Sequence, residues 1–344
     1  MISKKLLRWY ALNKRDLPWR ATHDPYKIWI SEIMLQQTQV STVIPYYRKW
    51  INKFPNAKKL SKTNYNDVLK LWEGLGYYSR CKNIYKTAPF VQEKFPNNYS
   101  ELIKLPGIGD YTAKTILAIA FNKNQVGIDT NLERIGFRLL GLKKKSKFNQ
   151  NKVRKFLEKI QDKNNPGDFN QALMDLGSNI CQSQAVNCRV CPINDFCKAF
   201  LSLNPIDYPA PPKSKTVPTI KVSTCIVRKQ KKLLILQRPI DTMLGGLWEF
   251  PGGKIQNNES REKAVIREVM EETNLVINAP DYLGQIKHQY SHFKVSISLF
   301  LSDVNDTSSF KTNQNYKWTT RKQLDKLALP KVNYKMLEIL DKLK

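Results

Sequence analysis

The stretch from Leu105 to Asn131 constrains the fold of this chain more strongly than any other. Two glycines, Gly107 and Gly109, enclose one apolar residue. A short helix capped by Ser100 is predicted before them, and a longer helix over 111–120 after them. Glycines let a ligand approach the backbone closely, and the free N–H groups of a helix start attract anions such as DNA phosphates. Gly-x-Gly also occurs in ordinary turns between helices, so this stretch alone leaves both interpretations open.

The charge of the chain favours a polyanionic partner. The 344 residues carry a formal net charge of +28 with an isoelectric point of about 9.8. Such a basic protein is attracted to nucleic acid, although a general enrichment in lysine would have the same effect. No apolar run reaches the roughly 18 residues of a membrane helix, and the first ten residues do not resemble a signal peptide. We expect a cytoplasmic, monomeric protein without a membrane partner.

The spacing of apolar residues and the distribution of prolines predict two domains. Residues 1–202 show apolar residues at helical spacing and are predicted to be all-α. Residues 203–219 contain five prolines and are predicted to be a linker. Strand-like runs at 221–227, 232–236 and 295–301 and a helix from about Glu259 to Thr273 follow. Residues 220–344 are therefore predicted to be an α+β domain.

Four cysteines fall within seventeen residues, at Cys181, Cys188, Cys191 and Cys197. The C-x6-C-x2-C-x5-C spacing indicates a metal site, because four thiolates can bind Zn²⁺ or an iron–sulfur cluster. Zinc sites more often use two C-x2-C pairs, and only one is present. The chemistry therefore favours a cluster.

Two sets of polar side chains in the first domain are candidates for contact with a nucleobase. Glu32 lies near the start of a helix predicted over 29–39, where a glutamate is usually solvated. It is followed by Gln36-Gln37-Thr38-Gln39, whose uncharged hydrogen-bonding groups suit contacts with base edges.

The turn Leu75-Gly76-Tyr77 carries an apolar side chain and an aromatic ring that can fill the gap left by an extruded base, although such residues more often belong to the core.

These motifs together resemble the helix-hairpin-helix DNA glycosylases with an endonuclease III-like [4Fe-4S] loop. Within that superfamily the chain resembles the MutY-type adenine DNA glycosylases over nearly its whole length. The most specific motifs are Leu17–Arg20, Ser31–Val40 and Phe169–Gly177. The resemblance implies an enzyme of base excision repair that removes adenine paired with 8-oxoguanine or guanine in double-stranded DNA.

The resemblance also implies roles for individual residues. Glu32 matches the acid that protonates the purine, and Asp129 matches the carboxylate that stabilises the oxocarbenium-like sugar. Tyr111 stands where related lyases have a Schiff-base lysine, so strand cleavage is expected to be weak. Lys114, one helical turn further on, could replace that lysine, but we do not favour this. The other matched positions are Asn131 beside Asp129, Arg20 and Gln171 at the flipped adenine, and Gln37, Thr38, Leu75 and Tyr77 at the opposing base. MutY-type chains usually read Asp-Gly-Asn where this chain has Thr130, and a positive φ at Thr130 would be costly.

The second domain resembles a Nudix fold. Gly253-x5-Glu259-x7-Arg267-Glu268-x2-Glu271-Glu272 matches the pyrophosphohydrolase box, except that Asn274 replaces a glycine. Glu268, Glu271 and Glu272 share a helix face and could bind Mg²⁺, which we do not favour over a solvated acidic helix. The loop around Ser291 and His292 resembles the one that recognises 8-oxoguanine. Three alternatives stay open: an endonuclease III-like glycosylase/lyase for oxidised pyrimidines, a DNA-tethered Nudix pyrophosphohydrolase, and a lesion-binding protein without catalysis.

Overall fold

The computed structural model describes residues 1–201, 204–211, 217–290 and 293–343. The chain divides into two compact units. The first contains Met1–Lys62 and Asn83–Lys213, and the second contains Thr63–Lys82 and Ser214–Lys344. Residues 63–82 lie within the range predicted for the first domain, yet they group with the second unit.

The first two hundred residues are helical, as predicted. The helices are α1 (Ile2–Asn13), α2 (Pro25–Leu35), α3 (Val40–Lys53), α4 (Ala57–Ser61), α5 (Tyr65–Trp72), α6 (Tyr78–Thr87), α7 (Tyr99–Leu102), α8 (Asp110–Phe121), α9 (Thr130–Leu140), α10 (Lys147–Ile160), α11 (Pro166–Asn179) and α12 (Lys198–Leu201). A core of α1, α9, α10 and α11 buries Leu6, Leu132, Val153 and Leu173 completely. This core supports α9 and α11, which carry candidate site residues.

Side-chain caps explain several helix starts. Asn56, Asn64 and Ser146 accept hydrogen bonds from backbone N–H groups of the first turns of α4, α5 and α10. The predicted cap at Ser100 is wrong, because α7 begins at Tyr99 and Asn98 accepts from the Glu101 N–H. Asparagine and serine have similar capping strength, so the sequence alone did not decide between them.

The second unit is built on a mixed sheet of seven strands. They are β1 (Thr219–Lys229), β2 (Lys232–Gln237), β3 (Trp248–Glu249), β4 (Gly252–Lys254), β5 (Asp281–Gln289), β6 (Lys294–Asp303) and β7 (Tyr316–Thr319). The main path runs β3-β2-β1-β6-β5, with β4 paired to β1 and β7 to β2. β1 and β6 are parallel over ten residue pairs, whereas the other pairings are antiparallel.

Helices cover both faces of this sheet. On one face Ile226 packs with residues of α15 (Lys331–Asp341), and on the other Val227 packs with residues of α13 (Arg261–Thr273). The short helix α14 (Arg321–Leu324) precedes α15. The predicted start of α13 at Glu259 is early, since the Ser260 hydroxyl accepts from the Lys263 N–H and caps the helix.

The predicted linker is partly structured. Among its described residues, Pro205–Asp207 form a short 3-10 helix and the Ala210 N–H donates to the Lys143 carbonyl at 2.9 Å. β1 already begins at Thr219, inside the predicted linker range. Across the described residues, none of the helices combines the length and the apolar character that crossing a membrane requires.

Candidate active site

Glu32 lies in the last turn of α2, so its predicted position near the helix start is wrong. The helix begins at Pro25, because Asp24 caps it and accepts from the Tyr26 N–H at 2.9 Å. Glu32 is only 5% exposed. A carboxylate near a helix C-terminus gains nothing from the helix dipole, and burial disfavours its charged form further.

Burial raises the pKa of Glu32 from 4.5 to about 7. The hydrogen bond from the Tyr111 hydroxyl to Glu32 Oε2, 2.6 Å long, opposes this rise because it favours the carboxylate. The negative charge of Asp129 raises the pKa further, and the positive charge of Arg20 lowers it. Glu32 is therefore a carboxyl group that can hold a proton near neutral pH.

Tyr111 lies in the first turn of α8 and remains a proton donor. Burial, followed by the charges of Glu32 and Asp129, raises the pKa of Tyr111 well above its usual value. Lys114, one turn further along α8, forms an ion pair with Asp110 at 3.0 Å. The nearest lysine on this helix is thus engaged by a carboxylate.

Asp129 is the N-cap of α9. Its Oδ1 accepts from the Leu132 N–H at 2.7 Å, and its Oδ2 accepts from Asn131 Nδ2 at 3.0 Å. Burial raises the pKa of Asp129, and the Leu132 and Asn131 hydrogen bonds oppose that rise. Thr130 is the first helical residue and does not have a positive φ. The anticipated strain is absent, because a threonine fits the start of a helix.

The hairpin before α8 uses its two glycines differently. Gly107 has φ +78°, and a Cβ there would lie 2.6 Å from the Asn83 Cβ. Gly109 precedes the first residue of α8, with φ −91°, and a Cβ there would meet no atom within 4 Å. Gly107 is needed for the turn, whereas Gly109 leaves the helix start open to an approaching group.

An open cleft of about 1330 Å³ brings together half of the predicted site residues of the first unit. Its lining includes Glu32, Gln37, Thr38, Gly109, Tyr111, Asp129 and Asn131. A narrower pocket of about 40 Å³ is lined by Glu32, Arg20 and Gln171, together with Arg15, Leu17 and Trp19. Glu32 lines both, so it lies where the open cleft meets the narrow pocket.

A fully buried carboxylate holds the arginines of the narrow pocket. Asp175 accepts from Arg20 Nη1 at 2.6 Å and Nη2 at 2.8 Å, and from Arg15 Nε at 2.6 Å. Asp175 is not exposed at all. It belongs to the Phe169–Gly177 motif, but nothing in that motif predicts that this aspartate would pair with arginines about 160 positions earlier.

Two of the described residues that were assigned to the opposing base, Leu75 and Tyr77, belong to the second unit. Leu75 is buried, at 5% exposure, and Tyr77 has a positive φ of 48°. Gly74 and Gly76, with φ of 90° and 76°, complete the turn. Ser291 and His292 lie outside the described residues.

The four cysteines lie on one loop with two 3-10 turns, Cys188–Val190 and Asn194–Phe196. Burial raises the pKa values of Cys188, Cys191 and Cys197, and the other thiols of the set raise them further. Within the described ranges, no group of three His, Cys, Asp or Glu side chains is close enough to hold a metal ion. An all-sulfur donor set in a single loop nevertheless matches the chemistry of an iron–sulfur site.

Two arginines of α9 connect to the cysteine loop, and sequence reasoning missed both. Arg138, 1% exposed, donates to Cys181 Sγ at 3.1 Å and to the Gln182 carbonyl at 2.6 Å. Arg134 donates to the Cys181 carbonyl and to Asn131 Oδ1, both at 2.9 Å. Since Asn131 donates to Asp129, a continuous set of hydrogen bonds joins this loop to the capping aspartate.

The glutamates of the Nudix box are engaged by protein groups. Arg267 donates to Glu259 at 2.8 and 3.0 Å, to Glu268 at 2.8 Å and to Glu271 at 3.0 Å. Glu272 accepts from the Gly252 N–H at 2.9 Å, and burial raises its pKa to about 7. Asn274 ends α13 with φ 55°, a conformation that asparagine tolerates, so the missing glycine does not disturb the helix end.

Comparisons with known proteins agree with both halves of this description. Residues 30–162 match the model of the HhH-GPD superfamily of base excision DNA repair proteins, and residues 223–339 match the NUDIX domain. This confirms the predicted fold class, an all-α helix-hairpin-helix domain followed by a Nudix-like domain. A thermostable thymine-DNA glycosylase structure, 27% identical, covers 58% of this chain and 95% of its own with a TM-score of 0.54.

Several relatives that align with nearly the whole chain are adenine DNA glycosylases. Adenine DNA glycosylases of two Buchnera aphidicola subspecies are 37% and 35% identical, and the alignments cover 98% and 94% of this chain and 97% and 92% of theirs. The human adenine DNA glycosylase is 29% identical over 97% of this chain and 73% of its own length.

Proposed function

The chain belongs to the adenine DNA glycosylase family, and we propose that it excises adenine opposite 8-oxoguanine or guanine as a monofunctional glycosylase. The observation that carries this proposal is the protonatable Glu32, which lines the narrow pocket as well as the cleft that contains Asp129. The formal charge of +28 favours binding of the DNA backbone. The expected location is with the DNA in the cytoplasm.

Glu32 is the proposed general acid. Adenine is a poor leaving group, and it must first be flipped out of the duplex at a cost of a few kcal/mol. Arg20 and Gln171, which line the narrow pocket with Glu32, are placed to contact the flipped base. A carboxyl with a pKa of about 7 is half protonated at neutral pH and can donate its proton to a purine nitrogen.

Asp129 is the proposed carboxylate that stabilises positive charge on the sugar. Hydrogen bonds from Leu132 and Asn131 favour its ionised form and fix its orientation. Arg134 in turn orients Asn131. The role of Asn131 is therefore to position the carboxylate.

Tyr111 supports hydrolysis without strand cleavage. A tyrosine cannot form a Schiff base with the sugar, and Lys114 is paired with Asp110. This argues against the lyase chemistry of an endonuclease III-like enzyme. The hydroxyl of Tyr111 instead binds the carboxyl of Glu32 and moderates its pKa.

Cys181, Cys188, Cys191 and Cys197 are the proposed ligands of a [4Fe-4S] cluster. Such a cluster would cross-link the loop and serve folding and DNA docking, because the two carboxyl groups account for the reaction. Arg138, which donates to Cys181 Sγ, would stabilise the thiolate that ligation requires.

The Nudix-like domain is proposed to read the lesion. Ser291 and His292 can distinguish 8-oxoguanine from guanine at its altered imidazole ring, and Gln37, Thr38, Leu75 and Tyr77 are assigned to the opposing base and its stack. Arg267 forms ion pairs with Glu259, Glu268 and Glu271, and Glu272 accepts from the Gly252 N–H. This engagement argues against Mg²⁺ at Glu268, Glu271 and Glu272 and against nucleotide hydrolysis.

The test uses end-labelled duplexes with A opposite 8-oxoguanine, A opposite G, or an oxidised thymine, scored before and after alkali. The adenine strand should break only after alkali. Efficient nicking without alkali, or a preference for the oxidised pyrimidine, would contradict the proposal.

Glu32→Gln should abolish excision and leave duplex binding largely intact, since it removes the proton and little of the shape. Parallel loss of binding would make Glu32 structural instead.

A further inference from the structure

Residues 63–82 form a segment that packs with residues far from it in the sequence. They stand between helices of the first unit along the chain, yet they pack with the second unit. The segment contains α5, the turn 74–77 and the start of α6. Leu75 and Tyr77, which are assigned to the opposing base, lie in that turn.

The turn itself is held in one shape by its neighbours. The indole Nε1 of Trp72 donates to the Gly76 carbonyl at 3.0 Å. The buried guanidinium of Arg80 donates to the carbonyls of Leu75 and Gly76 at 3.4 and 3.3 Å. Side chains of the two flanking helices therefore bind both carbonyls of the turn.

Glu73 connects the segment to the C-terminal part of the second unit. Its Oε1 accepts from the Leu329 N–H at 2.7 Å and from the Tyr334 hydroxyl at 2.6 Å. Its Oε2 accepts from Lys70 Nζ at 2.6 Å, and the same ammonium donates to the Leu327 carbonyl at 2.9 Å. Hydrogen bonds to a carboxylate are roughly twice as strong as neutral ones, so this is a firm attachment.

Other contacts of the segment fix its orientation. Gln237 Nε2 donates to Asn66 Oδ1 at 2.9 Å. A Cβ at Gly246 would lie 2.8 Å from the Leu69 Cδ1, so the backbone there lies directly against α5. Glu73 lies directly before the turn, since only one peptide bond separates it from Gly74.

We propose that Glu73 is a positioning residue. It links the turn 74–77 to residues 327–334 and thereby holds the turn in a fixed position relative to them. It thereby contributes to the preference for adenine opposite 8-oxoguanine over adenine opposite guanine. This rests on the proposed function, which assigns Leu75 and Tyr77 to the opposing base. Glu73 touches neither base and acts only through the turn, so the excision chemistry of Glu32 and Asp129 does not depend on it.

The test compares full-length Glu73→Gln and Tyr334→Phe with the parent and with Glu338→Gln, a control on an exposed glutamate of α15. Single-turnover excision is measured on both mispairs. For Glu73→Gln the rate opposite guanine should stay within about threefold of the parent, and the preference for the lesion should fall about tenfold. Tyr334→Phe should lower the preference less, and the double variant should be no worse than Glu73→Gln alone.

Hydrogen exchange of the amides at 74–78 gives an independent measure of attachment. Exchange should accelerate in Glu73→Gln and remain unchanged in Glu338→Gln. Equal loss of rate on both mispairs, an unchanged preference, or unchanged exchange at 74–78 would each overturn the proposal. A parent that excises no adenine would refute the proposed function, and the exchange comparison would still decide whether Glu73 holds the turn.

Discussion

Glu32→Gln should change how the stability of this protein depends on pH. Burial raises the pKa of Glu32 from 4.5 to about 7, and this difference corresponds to about 3 kcal/mol. The folded state holds the proton more tightly than the unfolded chain. The contribution of Glu32 to stability is therefore greatest below pH 4.5 and is lost as pH rises to about 7. Glutamine does not ionise, so the variant escapes this loss.

Differential scanning calorimetry between pH 5 and pH 8 measures the effect. One kcal/mol shifts the Tm of a domain of this size by roughly 2–4 °C, and most of the loss falls within this interval, so the variant should gain up to roughly 5–10 °C over the parent. Glu101→Gln, at an exposed glutamate of α7, is the control and should follow the parent at every pH. A Tm difference between Glu32→Gln and parent that does not change with pH would refute the assigned pKa.

Three further outcomes are expected. Tyr111→Phe removes a hydrogen bond that favours ionised Glu32, so the loss of single-turnover excision at alkaline pH should move upward by about one pH unit, and an unchanged profile would contradict that role. Asp175→Asn leaves two arginines without their buried carboxylate, which should cost about 3–5 kcal/mol in stability by thermal denaturation and reduce excision, whereas a variant as stable as the parent would refute the argument. The purified protein should be yellow-brown with iron and sulfide near four each per chain, and a colourless active preparation containing one zinc would exclude the cluster.

The sequence was most informative where residues act through local patterns. The glycines of the hairpin, the start of α8 and the strands β1, β2 and β6 follow from turn chemistry and periodicity over a few residues. Asn274 shows the same principle, because its left-handed conformation is a local property that asparagine shares with glycine. Such features depend little on the rest of the chain.

The sequence was least informative where distant residues meet. The position of Glu32 along its helix was predicted wrongly, and its burial depends on α8 and the narrow pocket around it. Asp175 pairs with residues about 160 positions away, and Arg138 binds the cysteine loop 43 positions later. These partners are set by tertiary packing, which no periodicity within one helix can reveal.

The attachment of residues 63–82 has a consequence for the order in which the protein can be completed during synthesis. Glu73 and Leu329 are 256 positions apart. At roughly 5–20 residues per second, a ribosome needs on the order of 10–50 s to synthesise the stretch between them. Until residue 246 has been synthesised, α5 also lacks the backbone of Gly246 that later covers Leu69. Residues 63–82 of the nascent chain therefore remain without their packing partners until the C-terminal strands and α15 have emerged. During this period chaperones or other unfolded chains can bind the exposed side chains of this segment.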